Sequence, residues 1–123
     1  SCNLSCPSCR TQIIMETEHQ NDIRQIQRRL EDEALHDARL LYITGSGDPF
    51  ASPFFRKWLH TMDPASMPKL EKLHLHTNAL LWTRRIWESI PEGTRRLVRA
   101  ATISVDAARP DSYRENRRGG EFE

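Results

Sequence analysis

After Cys9 the sequence contains no further cysteine, so the three thiols at positions 2, 6 and 9 have no fourth partner within its 123 residues. An odd count crowded at one end argues against a disulfide framework, and the rest of the composition is that of an ordinary intracellular domain. An excess of one charge is lacking too. The 18 Lys and Arg nearly balance 17 Asp and Glu, and the basic residues fall in scattered pairs such as Arg28-Arg29, Arg84-Arg85, Arg95-Arg96 and Arg117-Arg118. A nucleic-acid interface would gather such charge on one face, so no nucleic-acid partner is expected. No apolar run approaches the roughly 20 residues of a membrane span, and no signal-peptide pattern opens the chain. A soluble, cytoplasmic protein with no membrane partner is the expectation. Repeats, low-complexity tracts and linkers are missing as well, which leaves one domain or part of one. The chain starts with Ser rather than Met and ends without a natural stop signal, so residues 1–123 are expected to be a fragment.

What is present alternates. Ile23, Ile26, Leu30 and Ala34 recur at helical spacing among charged residues and predict an amphipathic helix from about Asn21 to Leu35. Leu40 to Thr44 is a short apolar run with the character of a buried strand, and glycines follow it. Ser52-Pro53 supplies an N-cap and a first-turn proline for a helix through "FFRKWLHTM", which Asp63-Pro64 and Pro68 end. "KLHLHTN" sets Leu73, Leu75 and Thr77 against His74 and His76, a period of two. Thr83 can cap a helix carrying Ile86, Trp87 and Ile90, stopped by Pro91 and Gly93. Ala100 to Asp106 reads as a third strand, and Pro110 to Arg117 as a last helix ended by Gly119-Gly120. Strands alternating with helices over short loops predict an α/β protein with parallel strands, either an open sheet or part of a barrel.

In such folds ligands bind at the loops that follow the strands. The turn Gly45-Ser46-Gly47-Asp48-Pro49, the strand end Thr77-Asn78, and Ser104 with Asp106 all belong to loops of that kind, and the cysteines would begin another. The turn fits no phosphate motif, because Phe50 stands where a dinucleotide loop needs its third glycine and no Gly-Lys-Ser/Thr follows. A structural zinc site would need one of the five histidines as a fourth ligand, and none lies at the usual short spacing. Ferredoxin-type clusters take four cysteines. A [4Fe–4S] cluster on three cysteines leaves one iron open, which accounts for the missing partner.

The run "CNLSCPSC" resembles the cluster-binding loop of the radical S-adenosylmethionine (SAM) enzymes, and the likeness extends along the chain. "ITGSGDPF" is similar to that family's glycine-rich turn, "LHTNALL" to its third-strand segment, and "ISVDAARPDSYRENRRGGEF" to its fourth-strand region. The resemblance implies part of a (β/α)6 partial TIM-type barrel that lacks its first strand and its C-terminal strands. It implies an enzyme holding a [4Fe–4S] cluster on Cys2, Cys6 and Cys9, with SAM on the fourth iron, cleaved reductively to a 5′-deoxyadenosyl radical that removes hydrogen from substrate. Gly45, Ser46, Gly47 and Asp48 would approach the methionyl amine, and Ser104 the carboxylate, with Asn78 and Asp106 on the same rim. The chain departs from the pattern at Asp48, where many members carry Glu, and at Ser8, where an aromatic residue is common. An electron donor such as flavodoxin or ferredoxin is the implied partner. The fourth-strand region is similar to members that modify peptides or proteins, so a peptide is the implied substrate class.

Each signal also has a plain structural reading. Buried thiols can simply pack, although Pro7 and two serines make this stretch a poor core element. Asn78 and Asp106 suit turns and caps, His74 and His76 suit a half-buried strand, and Arg117 and Arg118 suit a helix C-terminus. The alternatives to an enzyme are a zinc-binding module on three thiolates and a histidine, and an α/β interaction domain without a cofactor.

Overall fold

A computed structural model of the chain describes residues 1–15, 18–43 and 47–122. Three parallel strands, β1 (Leu40–Ile43), β2 (Lys72–Thr77) and β3 (Val98–Ile103), form a sheet in the order β1-β2-β3. Helix α1 (Gln20–Arg29) precedes β1 and runs on as a π-helical turn over Leu30–Ala34; α2 (Pro53–Thr61) joins β1 to β2. Two short helices, α3 (Arg84–Ser89) and α4 (Glu92–Leu97), join β2 to β3, and α5 (Pro110–Asn116) follows. The α/β class and the parallel pairing agree with the alternation in the sequence. No helix among the described residues is long and apolar enough to cross a membrane.

The period of two in β2 sorts its side chains as expected. Leu73 and Leu75 are fully buried against Ile43, Phe50, Leu59 and Ile90, and each such leucine contributes about 1.5–3 kcal/mol relative to an exposed one. His74 and His76 take the other face, where His74 stacks on Tyr42 with ring centroids 4.6 Å apart. The predicted caps hold: the Ser52 hydroxyl accepts from Phe55 N at 3.4 Å and the Thr83 hydroxyl from Ile86 N at 3.3 Å.

Three features differ from expectation. Pro91 does not simply stop a helix; its carbonyl accepts from Arg95 N at 3.0 Å and opens α4, with Gly93 inside it. Proline at a helix start loses no hydrogen bond, so one residue can close α3 and begin α4. The third strand spans Val98–Ile103 rather than Ala100–Asp106, because Val98 pairs with Leu73 and a bulge then sets Ala100 beside His74. Ser104 and Asp106 therefore lie beyond the strand, in the loop. Finally, the apolar stripe of α1 is not core: Ile26 is 59% and Leu30 48% exposed, and no residue of α1 is buried. A cavity of about 320 Å³ separates α1 from α2, bridged at its edge where Trp58 Nε1 donates to Glu31 Oε1 at 2.8 Å. Leu35, just past the π-helical turn, is the residue of this segment that reaches the core.

Candidate functional site

The cysteine loop is short, and its own turn shapes it. The Cys6 carbonyl accepts from both Cys9 N and Arg10 N at 2.9 Å, which curls Cys6 to Arg10 into a tight turn. Cys2 N donates to the Ile14 carbonyl at 2.9 Å and folds the chain back on itself. Leu4, 1% exposed, packs with Cys2 and Cys6 as the anchor.

Three distant segments then pin this loop. From the β1 side, Asp48 N donates to the Ser1 carbonyl at 2.9 Å. Gly47 makes that approach possible, since a Cβ there would stand 2.3 Å from the Ser1 oxygen. From the end of β2, Asn78 Nδ2 donates to Asn3 Oδ1 at 3.0 Å and lies 3.9 Å from Cys2 Sγ. From the end of α5, the Arg118 carbonyl accepts from Ser5 N at 3.0 Å. Gly119, at φ +93°, turns the chain away directly beside Asn3 and Leu4.

These ties enclose a cavity of about 250 Å³ at the end of the sheet where the strands finish. All three cysteines line it, as free thiols: Cys2 and Cys6 buried, Cys9 exposed. Gly47, Asn78 and Ser104 line it too, so three of the residues singled out from the sequence meet the cysteines there. Gly45 and Ser46 lie outside the described residues.

Asp48 and Asp106 are placed differently. Asp48 is 2% exposed and faces the interior rather than the cavity. Its Oδ1 accepts from Phe50 N at 2.9 Å and Ala51 N at 3.3 Å, and its Oδ2 from Thr77 Oγ1 at 2.7 Å and Asn78 N at 2.8 Å. An ionised carboxylate offers about four acceptor sites, so none is left for a ligand ammonium. The role open to Asp48 is positioning: it ties the start of α2 to the end of β2 and thereby sets Asn78 against the cysteine loop. Asp106 does not line the cavity; half-exposed, it pairs with Arg117, whose Nε lies 2.8 Å from Asp106 Oδ2.

Besides Leu4 and Arg10, two more lining residues had no assigned role in the sequence. His76, on the uncovered face of β2, reaches the cavity and holds Ser104 Oγ at 3.0 Å through Nε2. The alternation of "KLHLHTN" was its available signal, since it placed His76 opposite the leucines and two residues before Asn78. Arg117 is 6% exposed, and its Nη1 lies 3.8 Å from Cys6 Sγ, a sulfur 111 residues away in sequence. Nothing in the spacing announced that contact, because α5 makes it by folding back over the loop.

The chain matches no family model, no curated protein and no solved structure. The chemistry of the site therefore stands on its own geometry. Among the described residues no three Cys, His, Asp or Glu side chains are already converged as a metal-ligand set. What is assembled is the wall: three thiols on one cavity, with an amide N–H near Cys2 and a guanidinium N–H near Cys6, the two kinds of donor that suit sulfur carrying negative charge.

Proposed function

We propose that this chain is part of a radical SAM enzyme, its three strands a segment of the (β/α)6 partial barrel, acting on a substrate of the peptide or protein class. The observation that carries the reading is the convergence on one cavity of Cys2, Cys6 and Cys9 with Gly47, Asn78 and Ser104 from three separate strand ends. The donor set fits the group: sulfur ligands, nearby N–H donors, and an enclosed wall formed by Leu4 and Thr77. Cys2, Cys6 and Cys9 would hold a [4Fe–4S] cluster through their thiolates. When bound, such a cluster supplies one electron to SAM, whose C–S bond breaks to give methionine and a 5′-deoxyadenosyl radical that takes hydrogen from substrate.

The chain's own residues supply position. Gly47 lets the backbone after β1 pack against Ser1 at the cavity wall. Ser104 Oγ, oriented by His76, offers a donor to a carboxylate, and Asn78, whose NH₂ is engaged by Asn3 and Cys2, holds the cysteine loop on the same rim. Asp48 holds Asn78 from behind. A flavodoxin or ferredoxin in a reducing cytoplasm would deliver the electron.

Anaerobic reconstitution tests this. A brown protein with about four irons and four sulfides per chain, lost in Cys6→Ala, and forming 5′-deoxyadenosine from SAM when reduced, is the expected result. A specific observation favours one rival: His76 lines the same cavity as the three thiols and could complete a zinc site. Tight, colourless binding of one zinc per chain, weakened by His76→Ala, together with no iron–sulfur uptake, would establish that rival instead.

A further inference from the structure

Among the described residues Arg117 is the one buried basic side chain. A buried cation is costly unless its charge is answered, and here the answer is incomplete. Asp106 lies 2.8 Å from Nε, but its side chain is 47% exposed and so shares its charge with water. Nη1 meets Cys6 Sγ at 3.8 Å. Nη2 is buried and has no hydrogen-bond partner among the described residues, although the side chain lines the cavity. The site thus holds a fixed positive charge against a cysteine sulfur, with donor capacity to spare. Its location is rigid: Arg117 N closes the last turn of α5 onto the Tyr113 carbonyl at 2.7 Å, and the next residue's carbonyl is bonded to Ser5 of the cysteine loop.

The geometry points to Arg117 as a positioning residue that raises the reduction potential of the metal centre through Cys6. The inference rests on the cluster reading above. A [4Fe–4S]2+ core on three thiolates carries a net charge of about −1, and it takes up one electron from a flavodoxin- or ferredoxin-class donor to reach about −2, with no bond broken and no proton moved. A guanidinium that is itself buried beside a buried ligating sulfur favours the more negative form. Asp106 opposes it by drawing on the same charge. The two residues together set the balance: Arg117 makes the electron easier to accept, and Asp106 keeps the reduced form from becoming too stable to pass the electron on.

The test is a potentiometric titration, followed by electron paramagnetic resonance, of the anaerobically reconstituted protein without SAM or substrate. Arg117→Gln, which keeps bulk and a donor but removes charge, is expected to lower the ratio of reduced to oxidised cluster at least tenfold at fixed potential, a shift of about 59 mV for one electron. Arg117→Lys should keep most of the wild-type value, and Asp106→Asn should move the potential in the positive direction. Opposite signs for the two charge removals are what a loosened loop does not produce. A loaded Arg117→Gln protein titrating with the wild type, or Arg117→Gln and Asp106→Asn shifting the same way, overturns the inference and leaves the cluster reading standing. If Arg117→Gln does not load, Asp106→Asn decides alone, a positive shift supporting the inference and no shift overturning it. A wild type that takes up no cluster overturns the underlying reading and this inference with it.

Discussion

Replacing Asp48 by Asn changes one atom and is expected to be among the most damaging single substitutions in the chain. The carboxylate receives four donors, two on each oxygen. An amide can turn its oxygen toward one pair only; with the oxygen on the Phe50 and Ala51 amides, its NH₂ can be accepted by the Thr77 hydroxyl but meets the Asn78 N–H donor against donor. One bond to a charged acceptor, from Asn78 N, is lost, worth about 1.5–3 kcal/mol, and the others weaken from charged to neutral strength. The net loss is therefore about 2–4 kcal/mol. Against a total of about 5–15 kcal/mol for a domain, that is a large share. Urea unfolding followed by tryptophan fluorescence measures it, and the Phe50–Trp82 stack, with centroids 5.3 Å apart, places a reporter beside the substituted group. Amide hydrogen exchange gives the local view: protection should fall at Phe50 and Ala51 or at Asn78, depending on which pair the amide abandons. A loss under about 1 kcal/mol with unchanged exchange at all three amides would refute the assignment of Asp48 as the tie between α2 and β2.

Thr94 provides a contrast of opposite sign. It is fully buried and its hydroxyl has no partner among the described residues, so Thr94→Val should be neutral or stabilising by up to about 1 kcal/mol in the same urea assay, and a loss above that would reveal a hidden partner. Gly47→Ala should displace Ser1 from the turn, because the new Cβ would collide with its carbonyl; the readout is faster exchange at Asp48 N–H, and wild-type exchange would show that the close approach is not needed. Asp37 is held below its ordinary carboxyl value of 3.8 by a hydrogen bond from Lys69, with the charges of Lys69 and His36 assisting. A depressed folded value gives stability that is present above 3.8 and lost as pH falls through the folded value. Because both partners are exposed, the effect is small: Asp37→Asn should slightly flatten the acid limb of stability against pH, and a steeper limb would contradict the sign.

Local chemistry was legible where it depends on neighbours in the chain. The caps at Ser52 and Thr83, the period-two strand at 72–77 and the helix at 110–116 follow from side-chain oxygens, fixed φ values and alternation, all of which act within a few residues. Pro91 marks the limit of such signals, since the same fixed φ can end one helix or start the next, and only the carbonyl's partner decides. For α1 the periodicity of Ile23, Ile26 and Leu30 was real, yet a stripe is buried only if another surface comes to it. Here Ile23 lines the gap to α2, while Ile26 and Leu30 point elsewhere and stay exposed.

Amino-acid order alone settled the α/β alternation, the parallel pairing it implies, and the closeness of three thiols within one short loop. Which residues face those thiols was decided in three dimensions. Asp48 turned inward because four donors from two elements were waiting for its oxygens. Asp106 was drawn to Arg117, and Arg117 and His76 reached the cavity from positions whose local sequence suits a helix end and a strand face. Short-range preferences are written residue by residue, whereas a contact between Cys6 and Arg117 exists only after the sheet, α5 and the loop have all taken their places.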